Sequence, residues 1–154
     1  MKTYSPKASD VAPTWFVVDA QNISLGRLAS KVATILRGKH KSVFAPWMNN
    51  GDFVIVTNAA RVRLTGAKLT DKIYYRHSGY PGGLRQRTAG EVLANHPTRL
   101  VESAVRGMLP RNALGKAMLR RLKVYADNDH PHQAQKPNPL PVEDIRMKTG
   151  RRGS

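Results

Sequence analysis

The pentapeptide Trp15-Phe16-Val17-Val18-Asp19 constrains this chain more than any other stretch. Its apolar residues run without alternation, as they do in a strand covered on both faces. The next segment has a helical pattern. At about 100° per residue, Leu25, Leu28, Ala29, Val32, Ile35 and Leu36 fall within an arc of about 120°, with Arg27, Ser30, Lys31 and Thr34 opposite. Ser24 stands where an N-cap belongs and Gly38 where a left-handed C-terminal residue belongs. Phe53-Val54-Ile55-Val56-Thr57 is a second continuous apolar run. Strand, helix and buried strand in this order predict an α/β fold with a mainly parallel sheet, whose second face later helices would cover.

Weaker signals mark the other segments. Asn58-Ala59-Ala60 turns into Arg61-Val62-Arg63-Leu64, which alternates like a half-exposed strand, and Thr65-Gly66 ends it. Ile73 to His77 is a further strand, followed by the irregular loop Gly79 to Gly83. Thr88 and Glu91 have capping-box spacing. The short helix they open stops before Pro97, itself suited to a first helical position. From there Leu100, Val101, Ala104, Val105 and Met108 share an apolar face, and Pro110 breaks the helix. Asn112 can cap a last helix over about residues 113–122. Lys123-Val124-Tyr125 is a short strand or an extended exit. Residues 1–14 read as an arm, 15–126 as one α/β domain, and 127–154, with four prolines and a basic end, as an extended tail without regular elements.

Composition enters through charge. The 154 residues hold 26 Lys plus Arg against 10 Asp plus Glu, a net charge of +16. Such an excess opposes compaction unless a polyanion compensates it. There is no cysteine, which excludes disulfides, thiolate metal sites and thiol nucleophiles. No apolar run approaches the roughly 18 residues of a membrane span, and the start lacks the apolar stretch of a signal peptide. A cytoplasmic protein with a polyanionic partner is the expectation.

Motifs of nucleotide-binding or hydrolytic enzymes are absent. Asp19 ends a strand, where α/β enzymes often place a functional acid, but it lacks catalytic partners and reads better as a loop acid satisfying backbone N–H groups or pairing with a Lys or Arg. Asp127, Asp129, His130 and His132 have metal-ligand chemistry, yet tight spacing around Pro131 favours a turn or histidines that stack on RNA. No metal or cofactor is expected. The cations are better organised. Lys116, Arg120 and Lys123, at i, i+4 and i+7, would form one helical stripe without acidic partners, a geometry that gains from phosphates. Lys72, Tyr74 and Arg76 would share one strand face, suited to phosphate contact plus stacking or to a Tyr packed by basic stems. Arg37, Lys39, His40 and Lys41 crowd a helix C-terminus beyond what its dipole needs. Arg85 and Arg87 follow a glycine-rich loop that lets RNA come close, and Arg146, Lys148, Arg151 and Arg152 end the chain.

Taken together, these segments resemble a known family. Trp15 to Ala20, Leu25-Gly26-Arg27-Leu28-Ala29, Leu36 to Lys41, Gly51-Asp52, Asn58-Ala59, Thr65-Gly66 with Lys68, and Tyr74-Tyr75 with His77 and Gly79 occur in the order and spacing of the bacterial large-subunit ribosomal proteins of the L-thirteen family. Val105-Arg106-Gly107-Met108-Leu109-Pro110 is the most specific match, followed by Gly115, Leu122 to Tyr125, His130, His132, Ala134 and Gln135. The likeness covers about residues 14–140. It implies a three-layer α/β/α fold and a structural role on large-subunit rRNA, with an early part in subunit assembly. It implies contacts with neighbouring ribosomal proteins, and no catalysis. The same basic surface could also serve the protein's own mRNA. The family's basic positions carry over as Arg37, Lys39, His40, Lys41, Lys68, Arg106, Arg111, Lys116, Lys123, His130 and His132. Asp127 stands where the family has glycine, Asn112-Ala113 replaces a Gly-Pro-like pair, and residues 141–154 extend past the likeness. Arg151 and Arg152 are assigned to RNA or protein contact on charge alone.

Overall fold

In the computed structural model, which describes residues 3–141 and Ile145, the two apolar pentapeptides are neighbouring strands. β1 (Trp15–Asp19) and β2 (Phe53–Thr57) pair in parallel, Trp15 opposite Phe53 and Asp19 opposite Thr57. α1 (Leu25–Arg37) joins them and ends at Gly38, whose φ of +82° only glycine adopts freely. Gly51 meets a stricter demand: a Cβ there would lie 1.7 Å from the Leu36 carbonyl oxygen, so the chain entering β2 can pass the end of α1 only without a side chain.

Beyond β2 come α2 (Lys68–Asp71), β3 (Ile73–His77), β4 (Leu84–Thr88), α3 (Ala89–Asn95), α4 (Pro97–Met108), α5 (Ala113–Leu119), β5 (Leu122–Val124) and β6 (Asn138–Pro139). The main sheet has the order β5-β2-β1-β6, and every pairing in it is parallel. β3 and β4 form a separate antiparallel hairpin. The fold is α/β around a parallel sheet, as the apolar runs require.

One core sits between the sheet and the helices. Val18, Val54, Val56 and Leu122 from one sheet face meet Leu28, Val32 and Leu36 of α1 and Leu100, Val101 and Val105 of α4. α1 and α4 therefore lie side by side on that face, so α4 does not cover the opposite one. Across the opposite face, which bears Trp15, Phe53 and Ile55, the chain returns from β5 to β6 through residues 125–137, with His132 against the Trp15 ring and one 3-10 turn at Gln133–Gln135.

Four local expectations change. Residues 61–64 are not a strand: Asn58 turns left-handed, a 3-10 turn spans Ala59–Arg61, and a single bridge joins Arg63 to Ser24. Met108 is 46% exposed, because the chain becomes extended at Leu109 and Leu109 enters the core in its place. The last helix stops at Leu119 rather than near 122, since Leu122 is drawn into the sheet beside Val54. Within the stretch read as lacking regular elements, Asn138 and Pro139 pair with Phe16 and Val17, and Ile145 is buried in the core. Arg146, Lys148, Arg151 and Arg152 lie outside the described residues.

Candidate nucleic-acid interface

Two cavities flank the C-terminal half of α4 and share Ser103 and Gly107 as a common wall. The larger, about 560 Å³, is lined by Arg106, Arg111 and Lys116 around Pro110 and Asn112. The smaller, about 380 Å³, is lined by Arg63, Lys68 and Lys72 beside the first residues of α1. Local structure explains the first group. Pro110 ends α4, and the Asn112 side chain caps α5 by accepting from the Gly115 N–H at 2.8 Å. Gly115 packs so closely that a Cβ would lie 1.8 Å from the Pro110 carbonyl oxygen. The tight turn thus brings Arg111 and Lys116 alongside Arg106. Neither cavity is lined by an acid.

The hairpin extends this surface. The Lys72 ammonium lies 5.3 Å from the Tyr74 ring centroid, and Tyr74 is partly packed on the core. Leu84–Thr88, read in the sequence only as residues after a loop, is the partner strand. Its register sets Arg87 opposite Tyr74 and Arg85 opposite Arg76. Directly opposed residues share a face. Lys72, Tyr74, Arg76, Arg85 and Arg87 therefore form one surface.

A second basic group, at the far end of α1, is built differently. Thirteen residues separate the ends of that helix by about 20 Å. Arg37 lies over the Phe44 ring at 5.9 Å, and Lys39 is exposed. His40 and Lys41 turn inward: His40 Nε2 is 2.6 Å and Lys41 Nζ 2.5 Å from the carboxylate of Asp52, which is fully buried. Asp52 also accepts from the Thr14 N–H at 2.9 Å. Burial pushes its carboxyl up, but the hydrogen bonds from Lys41, Thr14 and His40 outweigh this and hold it below its ordinary value. Arg121, which donates to the Gly51 carbonyl, stands over the Phe53 ring at 5.3 Å.

The third group lies on the opposite sheet face. His132 Nε2 is 2.7 Å from the Tyr125 hydroxyl, its backbone N–H donates to His130 Nδ1, and its ring leans on Trp15 at 5.3 Å. Trp15 stacks on Phe53 at 4.4 Å. Burial, with His130 and Lys123 nearby, lowers the His132 pKa. Asp127 and Asp129 are exposed, and the Asp127 carbonyl accepts from the Asn58 N–H. Asp19 does what a loop acid does: it accepts from the Gln21 N–H at 3.0 Å and from the Asn58 amide at 2.8 Å.

The structure thus brings Lys68, Lys72, Arg106, Arg111 and Lys116 together with the hairpin arginines. The expected helical stripe is cut short: Arg120, still in helical conformation with its N–H bonded to the Lys116 carbonyl, keeps its spacing from Lys116, whereas Lys123 lies on β5 opposite Ile55. Sequence reading missed Arg63, a residue of the smaller cavity hidden in a mistaken strand.

Residues 13–131 match the family described as Ribosomal protein L13. The chain belongs to the ribosomal protein L13 family. Among its relatives, "Large ribosomal subunit protein uL13" of Mycolicibacterium smegmatis is 57% identical over 145 residues, covering 94% of this chain and 99% of the relative. The protein of the same name from Thermobifida fusca is 58% identical, covering 96% and 99%. That from Saccharopolyspora erythraea is 56% identical, covering 92% and 96%. The L13 family match includes α1, both cavities, the hairpin and His130, and ends one residue before His132.

Proposed function

We propose that this chain is a structural, non-catalytic component of the large ribosomal subunit in the bacterial cytoplasm, where it binds large-subunit rRNA and takes part in early assembly. Neighbouring ribosomal proteins are its other partners. The observation that carries the rRNA reading is the acid-free pair of cavities around α4, continued along the hairpin. Among the described residues, ion pairs fall on Asp52, so these cations stand without counter-charges. Phosphates would supply them, releasing counterions as they bind.

Binding of the full chain to large-subunit rRNA, titrated in salt, tests this. Affinity should fall steeply with salt, and replacing Lys68, Lys72, Arg106, Arg111 and Lys116 by Gln should flatten the slope by up to about 0.9 for each cation that met a duplex phosphate. A salt-independent affinity would overturn the reading. Sedimentation of cell lysate should carry the chain with the large subunit, and its presence in the earliest precursor particles would support the assembly role. The same basic surface could hold a folded segment of its own mRNA, and that RNA should then compete with rRNA.

A further inference from the structure

The β3–β4 hairpin has two chemically opposite faces. One carries Arg76, Arg85 and Arg87. The other carries Ile73, Tyr75, His77, Leu84, Gln86 and Thr88, without a formal charge in a chain of net charge +16. Ile73 is 39% exposed, Tyr75 63% and Leu84 53%. Exposed apolar patches of this kind mark interaction sites. The ribbon also lacks the means to stand alone. Two strands are marginal in water without a surface to pack on. Here the body covers the base, through Tyr74, α2 and α3, and farther out Arg76 faces Arg85, a like-charge pair that opposes the ladder.

We infer that the uncharged face, with Ile73, Tyr75 and Leu84, docks onto an apolar protein surface of a neighbouring large-subunit component while the arginine face meets RNA. The inference rests on the ribosomal reading and adds the partner and the side. Charge decides between occupants. Phosphates gain nothing from a face without cations, since counterion release needs them. Platforms for unpaired bases combine aromatic rings with cations in one groove. On this ribbon the arginines lie on the reverse side, and Tyr75 stands opposite Gln86, between Ile73 and His77 on its own strand.

The test uses ribosomes from cells expressing the full chain with photoreactive benzoylphenylalanine in place of Leu84 or, separately, of Arg85. On irradiation, position 84 should yield a protease-sensitive adduct that survives ribonuclease, and position 85 an RNA adduct. An RNA adduct at position 84, or no adduct there in particles that contain the chain, overturns the docking inference and leaves the ribosomal reading standing. Absence of the unsubstituted chain from the large subunit overturns both. In a second measurement, the double variant Tyr75→Ser, Leu84→Ser should keep its affinity for naked rRNA and lose retention in salt-washed particles. Equal loss of naked-rRNA affinity would place RNA on this face and overturn the inference.

Discussion

Among the described residues, Asp52 gathers more side-chain hydrogen bonds and ion pairs than any other acid. It is fully buried and holds Thr14, His40 and Lys41, tying the entry to β1 to the loop after α1. Asp52→Asn should destabilise the chain by about 2–3 kcal/mol, below the range for a fully buried pair because Lys41 and His40 reach solvent. The pH dependence has a definite sign. A carboxyl held below its ordinary value adds stability above the unfolded value of about 3.9, and that contribution disappears as pH falls through the folded value. Urea denaturation in acid should therefore show a steeper loss for the wild type than for Asp52→Asn. The end of α4 gives a second test. Met108→Ala should change stability by no more than about 0.5 kcal/mol, whereas Leu109→Ala should cost about 2–5 kcal/mol. Helical periodicity placed Met108 in the core, since it continues the face of Val101 and Val105. Periodicity carries no sign of where the backbone leaves the helix, and one residue of extended chain hands the core position to Leu109. His40 and Lys41 were legible as basic, but their inward turn was not, because their acid lies beyond a loop with no periodic pattern.

Among the elements, those that persist over many residues were legible. α1 and α4 follow their apolar faces, and the capping box at Thr88 forms as its spacing predicts, with the Glu91 N–H donating to Thr88 Oγ1 at 3.3 Å. β4 was not legible, because Leu-Arg-Gln-Arg-Thr alternates charged with uncharged residues but holds a single apolar side chain, and it is held by pairing with β3. Missing it also hid that Arg85 and Arg87 share a face with Tyr74 and Arg76. That arrangement predicts effects of opposite sign. Replacing Arg76 and Arg85 together by Gln should stabilise the free chain by about 0.2–1 kcal/mol, as the opposed charges no longer repel. The same variant should bind rRNA more weakly, with a salt slope smaller by up to about 2. Thermal denaturation and salt-titrated binding, run on one preparation, check both signs. The stripe expected on α5 is cut short for a related reason: helical spacing carries from Lys116 to Arg120, but Lys123 is taken by the sheet, opposite Ile55.

At the scale of the whole molecule, the charge of +16 makes the free and bound forms respond to salt in opposite directions. Between low salt and about 1 M, the screening length falls to about 3 Å, so self-repulsion fades and the melting temperature of the free chain should rise. Over the same range the complex with rRNA should dissociate. A melting temperature that falls with sodium chloride would show that attraction, rather than repulsion, dominates the free chain's electrostatics. The parallel sheet itself was legible from two apolar runs, but its outer strand was not, since Asn138 and Pro139 have no strand character of their own. Their position has a consequence for how the protein is made. β1 is among the first segments to emerge during synthesis, and its neighbour β6 is among the last. Until residue 139 is out, one side of β1 presents unmet backbone donors and acceptors to whatever passes. A nascent or prematurely terminated chain is therefore a partner in search of a strand, prone to pair with its own copies.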